Sequence, residues 1–275
     1  ILYPMFLPTT LKEVRARGWD ELDVIIFSGD AYIDHPAFGP AVIGRILEAE
    51  GYRVAIVPQP NWRDDLRDFT KLGKPRLFFA VSAGAMDSMV NHYTANLRLR
   101  SNDAYTPGGK AGFRPDRAID TYTKILKRLY PHTPVVVGGI EASLRRLTHY
   151  DYWSDKLQRS VLATSGADLL IYGMGDKPIR EVAKSLRNGF NMKLLRGLRQ
   201  VGFLADKEYV ERLYNGKTIV LNTFEECVQD KHKFGENFCH IEQLSNMMEC
   251  NTTLVEQVDD RYVVITPPHE TLTTE

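Results

Sequence analysis

Residues 134–155 read PVVVGGIEASLRRLTHYDYWSD. Three consecutive valines run into a Gly-Gly pair, and the chain then becomes dense in polar and aromatic groups. An unbroken β-branched run without alternation is the mark of a strand covered on both faces. Gly138 and Gly139 permit a sharp turn out of it. The same arrangement recurs. VIIFS (Val24–Ser28) leads into GDAYIDHPAFG (Gly29–Gly39), RLFFAV (Arg76–Val81) into SAGAMDSMVNHYT (Ser82–Thr94), and DLLIY (Asp168–Tyr172) into GMGDKP (Gly173–Pro178). A fifth run, RVAIV (Arg53–Val57), exits through PQPNW and offers less chemistry.

Helical periods lie between these runs. Val42, Ile43, Ile46 and Leu47 form one apolar stripe, closed by Gly51. Ile119, Tyr122, Ile125, Leu126 and Leu129 form a second, stopped by Pro131. Ile179, Val182, Ala183 and Leu186 form a third, behind a start signal of Asp176 and Pro178. Strand and helix alternating in this way predict an α/β fold with a doubly wound, mostly parallel sheet over residues 1–189, flavodoxin-like or like a cobalamin-binding domain. From residue 190 to 275 the pattern changes to an appended α+β region. It has a capping box at Thr223 and Glu226, a helical stripe of Ile241, Leu244, Met247 and Met248, and a late apolar run YVVIT (Tyr262–Thr266).

Composition narrows the function classes. The 275 residues are 43% hydrophobic and 25% charged, the balance of a soluble globular protein. Lys+Arg and Asp+Glu are 35 each, so no global field favours nucleic acid or an anionic membrane. No apolar run reaches the roughly 18 to 20 residues of a membrane span, and the first residues lack the features of a signal peptide. The expectation is a cytoplasmic protein with no membrane partner. Cys227, Cys239 and Cys250 are too sparse for a disulfide framework and too far apart in sequence for the short-loop pairs of zinc or iron–sulfur sites, so no metal ligands are assigned.

In an open parallel sheet, ligands bind beyond the carboxyl ends of the strands, where loops and helix N-termini converge. The four polar segments would share that edge. Their candidate crevice residues are Asp30, Asp34, His35, Ser82, Asp87, Asn91, His92, Glu141, Arg145, His149, Asp151, Tyr152, Trp153, Gly173 and Gly175. Each has a structural alternative. Asp30, Asp34 and His35 suit capping of the following turn and helix, single histidines are often structural, and the glycines suit tight turns. Arg145 and Arg146, if helical, point about 100° apart, so at most one faces a pocket. Glu141 and Arg145, four residues apart, would pair along one helix face. With Asp30, Asp34 and His35 they would make a polar floor walled by Tyr150, Tyr152 and Trp153. The rival reading is a polar seam that fixes a helix to the sheet. TPGGKAG (Thr106–Gly112) has no GK[ST] and follows a polar segment, GMGDK is not GxGxxG, and no GxSxG occurs.

GDAYIDHPAFG, MDSMVNHYT, GGIEASLRRLTHYDYWSD and YGMG, together with RPDRA (Arg114–Ala118) and the closing PPHETLTTE, resemble the N-terminal region of the YgiQ family of radical S-adenosylmethionine proteins. The likeness is dense from Phe6 to Gly189. It implies a radical domain downstream carrying CxxxCxxC, a motif this chain lacks. On that resemblance the [4Fe–4S] cluster and S-adenosylmethionine belong to the full-length protein, and the chain itself carries no cofactor. Several radical enzymes hold cobalamin in a domain of similar shape. The signature DxHxxG is absent here, because Asp34 and His35 are adjacent and Gly39 stands four residues after His35. The expectation is therefore no tight cobalamin binding. The implied function is an N-terminal module forming the wall or lid of a radical active site, partnered by the radical domain of the same chain and an unidentified substrate. The alternatives are a self-contained α/β hydrolase or transferase, and a non-catalytic ligand-binding module.

Overall fold

The five apolar runs form the parallel half of the main sheet, from its edge inward. The computed structural model describes residues 6–213, 217–247 and 249–270. β1 (Val24–Ser28), β2 (Val54–Pro58), β3 (Phe78–Ser82) and β4 (Val135–Gly138) are buried along nearly their whole length, as continuous hydrophobicity requires. A short hairpin, β5 (His149–Asp151) with β6 (Lys156–Gln158), stands apart from the main sheet. β7 (Leu169–Ile171), β8 (Val201–Ala205), β9 (Thr218–Val220), β10 (Thr253–Val258) and β11 (Arg261–Ile265) complete the strands.

The main sheet has nine strands in the order β2-β1-β3-β4-β7-β8-β11-β10-β9. Strands β2 through β7 are mutually parallel, with Val24 opposite both Val54 and Phe78. The order reverses at β1, which makes β1 and β3 the switch point of a flavodoxin-like sheet. The region expected as an appended α+β unit extends this same sheet: β8 joins β7 antiparallel, and β11 and β10 continue antiparallel to a parallel edge strand β9.

Two buried clusters sandwich the sheet. One face carries Ile26, Ala80, Val136 and Ile171 under α2 (Gly39–Ala49) and α8 (Asp176–Arg187), with α9 (Lys207–Leu213) beyond. The other carries Phe27, Phe79, Val81 and Val137 under α1 (Leu11–Ala16), α3 (Arg67–Thr70), α5 (Ala118–Leu129), α7 (Val161–Ser165) and α10 (Phe224–Gln229). Short helices α4 (Ser88–His92) and α6 (Ile140–Leu144) follow β3 and β4, and α11 (Lys231–Ser245) precedes β10. The Thr223–Glu226 capping box forms with both of its hydrogen bonds. Ile241 and Leu244 of the expected stripe pack on the core; Met247 is exposed past the helix end, and Met248 lies outside the described residues. The start signal at Asp176 and Pro178 opens α8, whose N-cap is Gly175. No described helix is long and apolar enough to cross a membrane.

Candidate functional site

The carboxyl ends of β1, β3, β4 and β7 meet α2 and α8 around a cavity of about 390 Å³. Its floor is Ile26, Ala80, Val136 and Ile171, one residue from each central strand. Glycines at 84, 138, 139, 173 and 175 form much of the wall, so backbone rather than side chain would meet an occupant. At Gly84 the backbone sits at φ +111°, and a Cβ there would fall inside the Asp30 carboxylate. Ser82 is the one wall hydroxyl of the strand ends; its Oγ accepts from Gly84 N–H at 3.1 Å, leaving the hydroxyl proton to offer. Asp176 is the only charged side chain on the wall. The rim is apolar and open: Ile140 and Met174 are 44% and 73% exposed. Of the sequence-derived candidates, Ser82, Gly173 and Gly175 line this cavity.

The carboxylates and bases expected beside them do not. Glu141 is sealed on the opposite face, where its two oxygens accept the N–H groups of Ser88 and Ile119 at 2.9 and 3.0 Å. One carboxylate thus caps the starts of both α4 and α5, and burial pushes its pKa up. The expected Glu141–Arg145 pair does not form. Helix α6 ends at Leu144, Arg145 becomes its C-cap, and the guanidinium turns instead to Asp87, with Nη2 to Oδ2 at 2.6 Å. Asp87 also caps α4 through Met89 and Val90 N–H. Arg146 lies over the Tyr172 ring at 5.3 Å.

The expected polar floor is likewise taken apart. Asp34 is forked by Arg45, which holds its carboxyl below the usual range, and His35 is exposed with Nδ1 accepting from Ala37 N–H at 3.1 Å. Neither caps α2, whose N-cap Phe38 has no side-chain bond. Asp30 is buried elsewhere, against Arg114. His149 lines a small cavity of about 150 Å³ with Glu141 and Arg145, where burial lowers its pKa to about 4. Asp151 is buried and accepts from Arg117 at 2.9 Å and from Ser154. Tyr152 donates to Ala95 carbonyl at 2.7 Å, and Trp153 lies 6.3 Å from the Tyr93 ring. These aromatics brace the hairpin β5–β6 against residues 93–95 instead of walling the cavity. Asn91 is buried, and His92 bonds Asp116 at 2.8 Å under a third, larger cavity. Asp34, His35, Asp87, His92, Glu141 and His149, the set a self-contained hydrolase or transferase would use, therefore face separate partners.

Arg114 was absent from the sequence-derived set. It is fully buried, donates to Asp30 Oδ1 at 2.5 Å and to Ala83 carbonyl at 2.9 Å, and so fastens the long connection after α4 to the ends of β1 and β3. Its place inside RPDRA is the only sequence signal that pointed to it.

A second feature of the edge is where β11 leads. Thr266–His269 return to the carboxyl edge and are held there by Gln200, whose N–H donates to Pro267 carbonyl at 2.7 Å and whose Oε1 accepts from His269 N–H at 3.1 Å. The Nε2 of the same side chain donates to Tyr172 and Met174 carbonyls, at 2.7 and 2.5 Å.

The residues present do not suit an iron–sulfur cluster. Cys227 and Cys250 are buried, Cys239 is exposed on α11, and among the described residues no three His, Cys, Asp or Glu are placed to share a metal ion. Nor do they act as a cobalamin couple, since Asp34 and His35 serve different partners.

A family model described as radical SAM N-terminal matches residues 6–275. Curated relatives include a UPF0313 protein of Porphyromonas gingivalis, 59% identical over 98% of this chain and 42% of its own length. Another, from Bacteroides thetaiotaomicron, is 57% identical over 98% of this chain and 45% of its own length. The chain thus spans less than half the length of these relatives. Among solved structures, the radical S-adenosylmethionine methyltransferase TsrM from Kitasatospora setae matches with a TM-score of 0.42 and 18% identity, over 66% of this chain and 28% of that chain in a form with tryptophan substrate and a SAM analogue. A second form of TsrM, with cobalamin and [4Fe–4S] cluster bound, matches over 66% of this chain and 26% of that chain. A match over nearly the whole chain, with relatives well above half identical, makes the chain a member of the radical SAM N-terminal family.

Proposed function

We propose that this chain is the N-terminal module of a radical S-adenosylmethionine enzyme, and that the carboxyl edge of its sheet is the wall against which the radical domain closes over a small-molecule ligand. The observation that carries this reading is the return of Thr266–His269 to that edge, pinned through Gln200 to the carbonyl of Met174. A radical domain following in a longer protein would be reached from that side. The exposed Ile140 and Met174 give the closing domain an apolar surface to cover. Radical chemistry would come from the cluster and S-adenosylmethionine held outside this chain. The chain's own residues would exclude water with an apolar floor, let the ligand approach glycine backbone closely, and orient it through the Ser82 hydroxyl.

Cross-linking of lysines in the intact protein tests this. Lys177 and Lys110, in segments following the carboxyl ends of the strands, should link to sequence beyond residue 275, while Lys74, in the turn leading into β3 at the opposite edge, should not. Links from Lys74 with none from Lys177 would reject the arrangement.

A further inference from the structure

On the α5 face, beside residues 93–117, lies a cavity of about 640 Å³, larger than the strand-end cavity. It is separate from the strand-end cavity in its lining, and its character is opposite: four arginines, 63, 100, 114 and 117, stand on its wall. Two of them are neutralised, Arg114 by Asp30 and Arg117 by Asp151. Arg63 and Arg100 have no carboxylate partner among the described residues.

Each of these two is anchored so as to leave its charge available. Arg100 donates its backbone N–H to His92 carbonyl at 2.7 Å and Nε to Tyr93 carbonyl at 3.3 Å, which leaves both Nη groups. Arg63 lies over the Trp62 ring at 4.5 Å, and Trp62 is fixed by its Nε1 bond to Phe113 carbonyl at 3.0 Å. The carboxylates on the wall are already engaged. Asp116 accepts from His92 and from the Tyr93 hydroxyl at 3.0 Å, and Asp120 Oδ2 accepts from Lys124 at 2.6 Å. Asp120 Oδ1 is buried without a partner and is one acceptor left for a hydroxyl or ammonium group. The volume falls in the roughly 300–1,000 Å³ range of small-molecule sites and exceeds what a lone inorganic ion would fill.

We infer that this cavity binds an organic anion of metabolite size, a phosphate ester or a polycarboxylate, through Arg63 and Arg100. The assignment stands on the arginines and the cavity and does not depend on the radical-domain reading. Guanidinium groups with free Nη donors suit the paired oxygens of either anion. Trp62, Tyr93 and Met89 supply the apolar wall for the rest of the ligand.

Calorimetric titration of the intact protein with pyrophosphate and with citrate tests it. At least one probe should bind, and Arg100→Ala and Arg63→Ala should each weaken it by at least about tenfold. Arg212→Ala, on α9 far along the sheet, should leave binding unchanged. Tighter binding of pyrophosphate would mark the site for phosphate esters, tighter citrate for polycarboxylates. Binding should also weaken as sodium chloride rises. If neither probe binds below about 10 mM, roughly −2.7 kcal/mol, or if the two arginine variants bind as the parent does, the inference fails. Thermal melts of the exposed-residue variants, expected to match the parent, separate lost binding from lost fold.

Discussion

Arg114 donates to Asp30 at 2.5 Å with both side chains sealed from solvent. The pair staples the loop after β1 to the connection that follows α4, and Asp30 Oδ2 extends the staple by accepting Ala85 N–H at 2.6 Å. Burial pushes the Asp30 carboxyl up while Arg114 holds it down. Arg114 Nη2 also lies 3.8 Å from Oδ2 of the buried Asp103, so removing Arg114 strands both carboxylates, whereas removing Asp30 leaves the guanidinium only that longer contact. Arg114→Met should cost about 3–5 kcal/mol in denaturant unfolding, and Asp30→Asn less. The double variant should lose clearly less than their sum, because Asp30 is then not stranded by the loss of Arg114. Additive losses would show that the two residues act independently.

Glu141 and Arg145 form the seam that holds α4, α5 and α6 together. Glu141→Gln replaces one acceptor with an N–H donor facing either Ser88 or Ile119, and should destabilise by about 1–3 kcal/mol. Arg145→Met strands Asp87 and should cost at least as much. Melting temperatures equal to the parent's would contradict this structural role and return Glu141 to the list of ligand-facing groups.

Two buried groups at the strand β10 side of this seam give opposite pH slopes. Glu256, whose Oε2 accepts Thr148 N–H at 2.8 Å, is raised by burial from 4.5 to about 7. A carboxyl raised in this way favours the folded state fully below pH 4.5, and that contribution is lost as pH climbs through about 7. His149, lowered by burial from 6.5 to about 4, favours the folded state above pH 6.5, a contribution lost as pH falls through about 4. Each shift corresponds to about 3 kcal/mol at most. Between pH 4.5 and 6.5 the two slopes offset one another. Glu256→Gln should unmask stability that rises with pH, and His149→Gln stability that falls with pH. Unfolding curves across pH 4.5–7.5 check both signs, and unchanged slopes in both variants would refute the assignment.

How far these relationships were legible in the sequence depends on their range along the chain. The five central strands were readable because VIIFS, RVAIV, LFFAV, VVVG and LLI are covered on both faces and so show unbroken hydrophobicity. β10 was not, because Glu256 interrupts TLVEQV with a carboxylate that is nevertheless 1% exposed. β9 is only three residues, and β8 carries Gly202 within its short apolar run. The placement of polar segments at one edge was legible from chain direction alone. Which face of the sheet each side chain takes was not: Glu141 and Gly139 are two residues apart, yet one is sealed under α5 and the other lines the strand-end cavity. Spacing suggested a Glu141–Arg145 pair only if the helix ran through 145, and it stops one residue short. Arg114 and Asp30 are 84 positions apart, a separation that carries no local signal.

The strand-end cavity makes a packing prediction. Ala80 borders it, whereas Ala55 of β2 is fully enclosed by core. Ala80→Ile has open volume to enter and should change stability by less than about 0.5 kcal/mol, while Ala55→Ile should overpack and cost about 1–3 kcal/mol. Equal losses at the two sites would mean the cavity is closed in solution.

If the carboxyl edge is the covered face of the longer protein, cysteine accessibility reads it directly. Met174→Cys and Ile140→Cys place thiols on the exposed apolar rim, and Lys74→Cys places one at the opposite edge, also exposed in this chain. In the intact protein, maleimide modification followed residue by residue by mass spectrometry should be slow at 174 and 140 and fast at 74. Rapid modification at 174 and 140, matching the rate at 74, would contradict it.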